Sequence, residues 1–202
     1  MRRFSFKLPP IGKKEVDPMN KKTESMSWKA VTQVFKFRSR KDRDRAEGLL
    51  DALAEGKVSP TQVEGLEEVK TVEKNVALNE GCNAIWLLVK GDTSVDPYDQ
   101  AHARIGVGDG TDPEDPTQTG LTGTNQLYKG MDSGYPQAGT DQKVVFQATF
   151  DEDEANWAWN EWTVDNGSGD NGGYNLNRRQ EYIGSKAGGV WVLRVTLTLG
   201  SA

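Results

Sequence analysis

At 202 residues the chain has room for one medium domain and a tail, and its one cysteine, Cys82, excludes an internal disulfide and offers no Cys-based metal pattern. Hydrophobic residues make up 35 % and glycine is abundant at 22, which points to many turns, a partly extended chain, or both; no apolar run approaches the roughly 18 residues a membrane span needs. The net charge of −5 divides unevenly: residues 1–45 carry 14 Lys and Arg against 5 Asp and Glu, and the remainder 11 against 25, a basic arm on an acidic body.

The opening MRRFSFKLPP has charge but no apolar segment behind it, so it is not read as a secretory signal and the product is expected to be made in a cytoplasm. Residues 1–27 contain Pro9, Pro10 and Pro18, several lysines and few large apolar groups, and read as extended with no core of their own. Phe4, Phe6, Leu8 and Ile11 are apolar points spaced along this segment, suited to lie in a groove on a partner. Trp28 to Arg38 fits a short helix through Val31, Val34 and Phe35, and equally a short strand over 34–38. Residues 1–38 are therefore taken together as an extended basic arm.

Residues 39–56 give the clearest helical pattern: Ser39 as a cap, Ala46, Leu49, Leu50 and Leu53 as an apolar stripe, and Gly56 as the stop. The alternating charges from Arg40 to Arg45 are expected on a solvated face. Ser59-Pro60-Thr61 starts a second short helix or turn with Val63, Leu66 and Val69 as its apolar side, so 39–75 reads as a helical connector. A further helix over 79–89, capped by Asn79, is expected to pack on a sheet through Cys82, Ile85, Trp86 and Val89, with Cys82 as a small buried residue.

From there the pattern turns to strands. Ala103, Ile105 and Val107 alternate within 101–108, a loop rich in turn residues follows over 109–123, and 127–135 holds Tyr128, Met131 and Tyr135 in a bent strand. Residues 143–166 read as the central hairpin. Val144, Phe146, Ala148 and Phe150 share one face, 151–154 form a solvated acidic turn, and Trp157, Trp159 and Trp162 follow. Strict alternation would put Trp157 and Trp159 on one face and Trp162 on the other. After the glycine-rich tip at 165–173, a strand is expected within 174–185. The final strand, 190–199, has Trp191, Leu193, Val195, Leu197 and Leu199 on one side and a wetter opposite face. Five or more strands separated by turn signals predict a mainly β protein: an antiparallel, jelly-roll-like β-sandwich over 76–202, expected to fold alone.

Catalytic signals are sparse. The one histidine, His102, lies inside the alternating pattern of 101–108 and reads as structural, and no serine has a nucleophile-elbow setting. The contiguous carboxylates Asp151 to Glu154 favour a turn over a spaced catalytic pair. The loops DGTDPED and DNGSGDNGG are acidic and glycine-rich but lack the order of a calcium hand. Trp157 and Trp159, if exposed on a concave face, would stack on sugar rings.

The body resembles a family of small β-sandwich proteins encoded among the virion genes of tailed bacteriophages, tail-fibre-like and accessory structural proteins among them. The resemblance runs over residues 79–200 as ordered motifs: ARIGVGDGT at 103–111, TGL at 119–121, TF-x-x-x-EAN within 148–156, EWTV-x-NG at 161–167, LNR at 176–178 and WVLRVTLTL at 191–199. It implies no catalysis; from the residues, no cofactor and no bound metal are expected. The expectation it carries is a structural component of the virion, present in many copies or as a homo-oligomer; residues 1–75 lie outside the resemblance, and docking through residues 1–38 with Phe4, Phe6, Leu8 and Ile11 as anchors is expected from the basic charge, prolines and spaced apolar residues of the arm. Its implied partners are other virion proteins of the capsid, the portal or neck, or the tail. Two other classes stand beside it: a carbohydrate-binding module using Trp157 and Trp159, and a nucleic-acid-binding protein working through the basic arm.

Overall fold

The computed structural model describes residues 26–167 and 172–201. Two antiparallel five-stranded sheets pack face to face as a β-sandwich. Sheet I has the order β2 (Leu66–Glu73), β1 (Met26–Phe37), β10 (Val190–Ser201), β7 (Lys143–Phe150), β6 (Gln137–Ala138). Sheet II has the order β3 (Val76–Ala77), β9 (Asn177–Ser185), β8 (Ala158–Asp165), β4 (Arg104–Gly108), β5 (Gln126–Gly130). The core between them is built from the alternating residues the sequence marks: Ile105 and Val107 of β4, Phe146, Ala148 and Phe150 of β7, and Leu193, Val195 and Leu197 of β10.

The largest departure from the sequence reading concerns β1. Residues 26–37 are neither helix nor arm. They form a twelve-residue central strand, paired with β10 from Met26↔Ser201 to Phe37↔Val190 and with β2 on its other side. The connector is corrected in the same way, since its last part is strand β2, and Leu66 and Val69 sit on a sheet. An arm ending at 38 and a sandwich starting at 76 would both cut through sheet I. Residues 76–202 alone would leave β10 paired with β7 and without β1 on its other side.

The reason β1 was ambiguous is visible in its burial. Val34 faces sheet II, while Phe35 and Phe37 face outward into a second apolar cluster with Leu50, Leu53, Val63, Val190 and Val192. A strand buried on both faces loses the alternation that identifies strands. The outer cover is α1 (Arg40–Arg45), a 3-10 turn at Glu47–Leu49 and α2 (Leu50–Ala54). Ser39 accepts a hydrogen bond from the Asp42 N–H as its cap, and Gly56 ends the segment at φ +70°. The 3-10 turn rotates the stripe, so Ala46, Leu50 and Leu53 are buried and Leu49 is exposed. The charged run is not wholly solvated either: Arg43 is buried and pairs with Glu47 and with Asp132, 3.1 Å away.

The expected helix is α3 (Asn79–Val89), but Leu78, not Asn79, takes the cap position. It packs through its small face, Gly81 and Ala84, and a Cβ at Gly81 would lie 2.5 Å from the Asn175 carbonyl oxygen. Close approach through small residues turns the bulky face outward. Cys82, Trp86 and Val89 are exposed where packing was expected, Trp86 by 67 %. The acidic turn after β7 is also less solvated than its charge suggests. Lys129 Nζ meets both Glu154 carboxylate oxygens at 2.5 and 2.6 Å, and buried Lys186 donates to the carbonyls of Asp151 and Glu154. Burial pushes the Lys186 ammonium below its ordinary pKa.

Candidate docking cleft

The tryptophans singled out by the sequence lie mostly in the core. A register shift between Trp159 and Glu161 inserts a bulge into β8, so Trp159 and Trp162 both face inward instead of opposing one another. Trp159 is 0 % exposed, packs edge-on against Phe150 and Trp191 at 4.8 and 4.9 Å, and donates from Nε1 to the Ala155 carbonyl. It has no face for a sugar ring. Trp157 is half-buried against the same core, and Trp162 ties the two sheets together by donating to Thr32 Oγ1 at 3.0 Å. His102 is in the turn before β4, not within the strand, with ring Nδ1 2.7 Å from Asp99 Oδ1. Phe4, Phe6, Leu8 and Ile11 lie outside the described residues.

The outer face of sheet II carries a polar layer that the sequence did not announce. Glu161 and Arg178 are both fully buried and paired, with Arg178 Nη2 2.6 Å and Nε 2.9 Å from Glu161 Oε2. Glu161 also accepts from the backbone N–H groups of Gly110, Thr122 and Gly123. Arg178 donates onward to the Asp112 carbonyl, Gln118 Oε1 and Thr122 Oγ1. The pair fastens loop 109–123 onto β8 and β9, and the loop's approach requires glycine: a Cβ at Gly110 would sit 2.4 Å from Glu161 Oε1. Every charge here meets a partner, which makes the network a structural staple. Among the described residues no group of three or more His, Cys, Asp or Glu is placed to hold a metal ion.

An apolar cleft of about 310 Å³ opens at the end of the sandwich where β1 begins and β10 ends. Trp28, Val144 and Leu199 of sheet I form one wall, and Ile85 of α3 with Tyr98 the other; Phe146, Leu176 and Leu197 form the floor. The walls are held by hydrogen bonds that point away from the opening. Trp28 Nε1 donates to Asn75 Oδ1 at 2.7 Å, and the Tyr98 hydroxyl donates to the Tyr174 carbonyl at 2.7 Å. Burial, reinforced by the charges of Asp165 and Glu80, pushes the Tyr98 phenol well above the ordinary tyrosine range, so it stays a neutral donor. Glu80 fixes α3 beside the cleft by accepting from the Asn175 N–H at 2.7 Å. The cleft thus has a pre-formed shape and a mainly apolar lining, completed by Gln142, Lys143 and Thr198, with the polar atoms of its two aromatic walls engaged elsewhere. Such a surface can bind carbon and has little with which to orient a polar substrate.

The sequence reading missed this cleft because its residues come from six separated parts of the chain, and Trp28 belonged to the segment left open between helix and strand. No family model, curated protein or solved structure matches the chain.

Proposed function

We propose that this chain is a structural component of a tailed-bacteriophage virion, docked through the residues that precede β1 and displaying the sandwich on the capsid or on the tail, neck or fibre apparatus. Support comes from the resemblance over residues 79–200, whose motifs supply the staple: Gly110, Glu161 and Arg178 each lie in one of them. They describe a scaffold. The observation that carries the docking half of the reading is positional. Residues 1–25, with seven Lys and Arg against three Asp and Glu, join β1 at the same end of the sandwich as the apolar cleft. Basic charge speeds encounter with an acidic surface, apolar anchors lengthen residence, and many copies on a lattice add avidity.

The test is truncation at the right place. Deleting residues 1–25 leaves every described strand present, so the protein keeps its β-rich circular dichroism and a cooperative thermal transition, while its incorporation into particles falls severely. Normal incorporation of the truncated chain would put attachment on the sandwich itself and overturn the reading. A deletion through residue 38 does not test it, because it removes β1.

A further inference from the structure

We infer that the cleft is the receptor for the N-terminal arm of a second copy of this chain, so that copies link arm to cleft. The inference rests on the reading of residues 1–11 as a docking arm and names what the arm docks on.

The chemistry of the two parts corresponds. The cleft offers apolar area, and the polar atoms of its aromatic walls are engaged internally. The part of the chain outside the described residues offers four large apolar groups, Phe4, Phe6, Leu8 and Ile11, among lysines and prolines. Phe4, Phe6 and Leu8 alternate, so an extended segment would present all three from one side, roughly 6.6 Å apart. The apolar surface continues beyond the cleft onto α3, where Ile85 lines the cleft and Trp86 and Val89 stand exposed beside it. Charge favours the same pairing. Residues 1–25 carry seven basic against three acidic groups, and residues 26–202 carry 18 against 27, so an arm is attracted to the body of any copy.

Direction and reach favour a second copy over the arm's own cleft. Met26 lies on the same side of β1 as Trp28 and pairs with Ser201, so β1 runs out past the cleft to the edge of the sandwich. A chain continued along that line would move away from its own cleft and could enter it only by reversing. The fourteen residues between Ile11 and Met26 span up to roughly 46–50 Å when extended. A folded unit of this size is about 40 Å across, so the anchors reach the cleft of a neighbour.

The experiment is subunit complementation with the full chain. Sedimentation across the micromolar range is expected to show concentration-dependent association. Phe4→Ser with Phe6→Ser removes the anchors. Leu199→Glu puts a charge in the cleft wall at a residue already 40 % exposed. Each variant alone is expected to lose association by at least tenfold, the effect of removing one well-buried side chain. Mixing the two restores a heterodimer, because the intact arm of the Leu199→Glu copy meets the intact cleft of the other. A monomeric full chain, association unchanged in either variant, or a mixture no better than its components would overturn the inference. Titration calorimetry of a peptide with the sequence of residues 1–12 into the Phe4→Ser/Phe6→Ser chain gives an independent readout. Saturable binding supports the inference, and no binding overturns it even if Leu199→Glu misfolds. The outcomes separate from those of the truncation. Lost incorporation without self-association would leave the docking arm and remove this receptor, and self-association with normal incorporation would do the reverse.

Discussion

The outer faces of the two sheets are covered by different means, and the contrast explains much of the sequence. Sheet I is covered at one end by α1, α2 and the turn at 60–63, which bring apolar side chains of their own: Leu50 and Leu53 of α2 and Val63 of the turn meet Phe35, Phe37 and Val192. Sheet II is covered by loop 109–123, made mostly of Gly, Asp, Thr and Pro, with Leu121 its one large apolar side chain. What such a loop offers is backbone N–H groups, and the matching partner is a buried acceptor. Glu161 supplies it, and Arg178 neutralises Glu161 and holds the loop's carbonyls. A helix can be held by area, whereas a glycine-rich loop has to be held by hydrogen bonds that satisfy its main chain.

The largest effect is expected on the polar side. Glu161→Ala leaves the Arg178 guanidinium buried without its counter-charge and three loop N–H groups without their acceptor, and should destabilise the fold by about 3–5 kcal/mol in denaturant unfolding. Replacing both partners, Glu161→Met with Arg178→Met, should cost less than the single change. A double variant as unstable as the single one would show that loop packing, not the stranded charge, sets the penalty.

On the apolar side, Leu50→Ala should cost about 2–5 kcal/mol through the cavity it opens under β1 and β10. Its neighbour Leu49, rotated outward by the 3-10 turn, should tolerate alanine within about 0.5 kcal/mol. Equal losses at the two positions would mean that the cover rests on the sheet in a different rotation.

The smallest effect has the opposite sign. Asp165 lies on the same strand face as Glu161 and is as deeply buried, but it forms no ion pair among the described residues; Arg104, opposite it on β4, offsets its burial only through its charge. Its Oδ1 accepts from the Gly167 N–H at 2.6 Å, and its Oδ2 has no partner among the described residues. Burial raises its pKa above the ordinary aspartate value, against the backbone hydrogen bonds that lower it. The folded state therefore prefers the protonated form. Stability linked to this group is greatest below the unfolded pKa near 3.8 and is lost as pH rises through the raised folded value. Asp165→Asn should raise the melting temperature at pH 7 by about 2–4 °C, the equivalent of roughly 1 kcal/mol in a chain of this size, and the gain should vanish near pH 3. A loss of stability at pH 7 would show that the charge is held by a partner not described here.

Strands whose outward positions are mostly polar or small were legible from the chain alone. Alternation in 103–108, 143–150 and 190–199 sets apolar core positions against Gly106, Gln147, Thr149, Arg194 and Thr196, whatever later covers them, and it led to an antiparallel sandwich. Local chemistry was legible too: the Ser39 cap and the left-handed Gly56 depend on neighbours a few residues away. The remaining features were decided by contacts distant in sequence. β1 hid because it is buried on both faces, one against sheet II and one against a helical cover that follows it in the chain. Trp159 and Trp162 share a face because a bulge set by the pairing with β9 adds a residue between them. Cys82, Trp86 and Val89 face outward because Asn175 and Leu176 approach the helix so closely that only its Gly81 face fits. Nothing near Glu161 in the sequence marks it for burial; Arg178 and the loop folded over it decide that. A period-two pattern records whether a side chain faces a core, and it holds no record of which distant segment will cover the other side. That is settled by the tertiary packing, since burial of a charge or exposure of a tryptophan is tolerable only once a particular partner, or an open cleft, stands next to it.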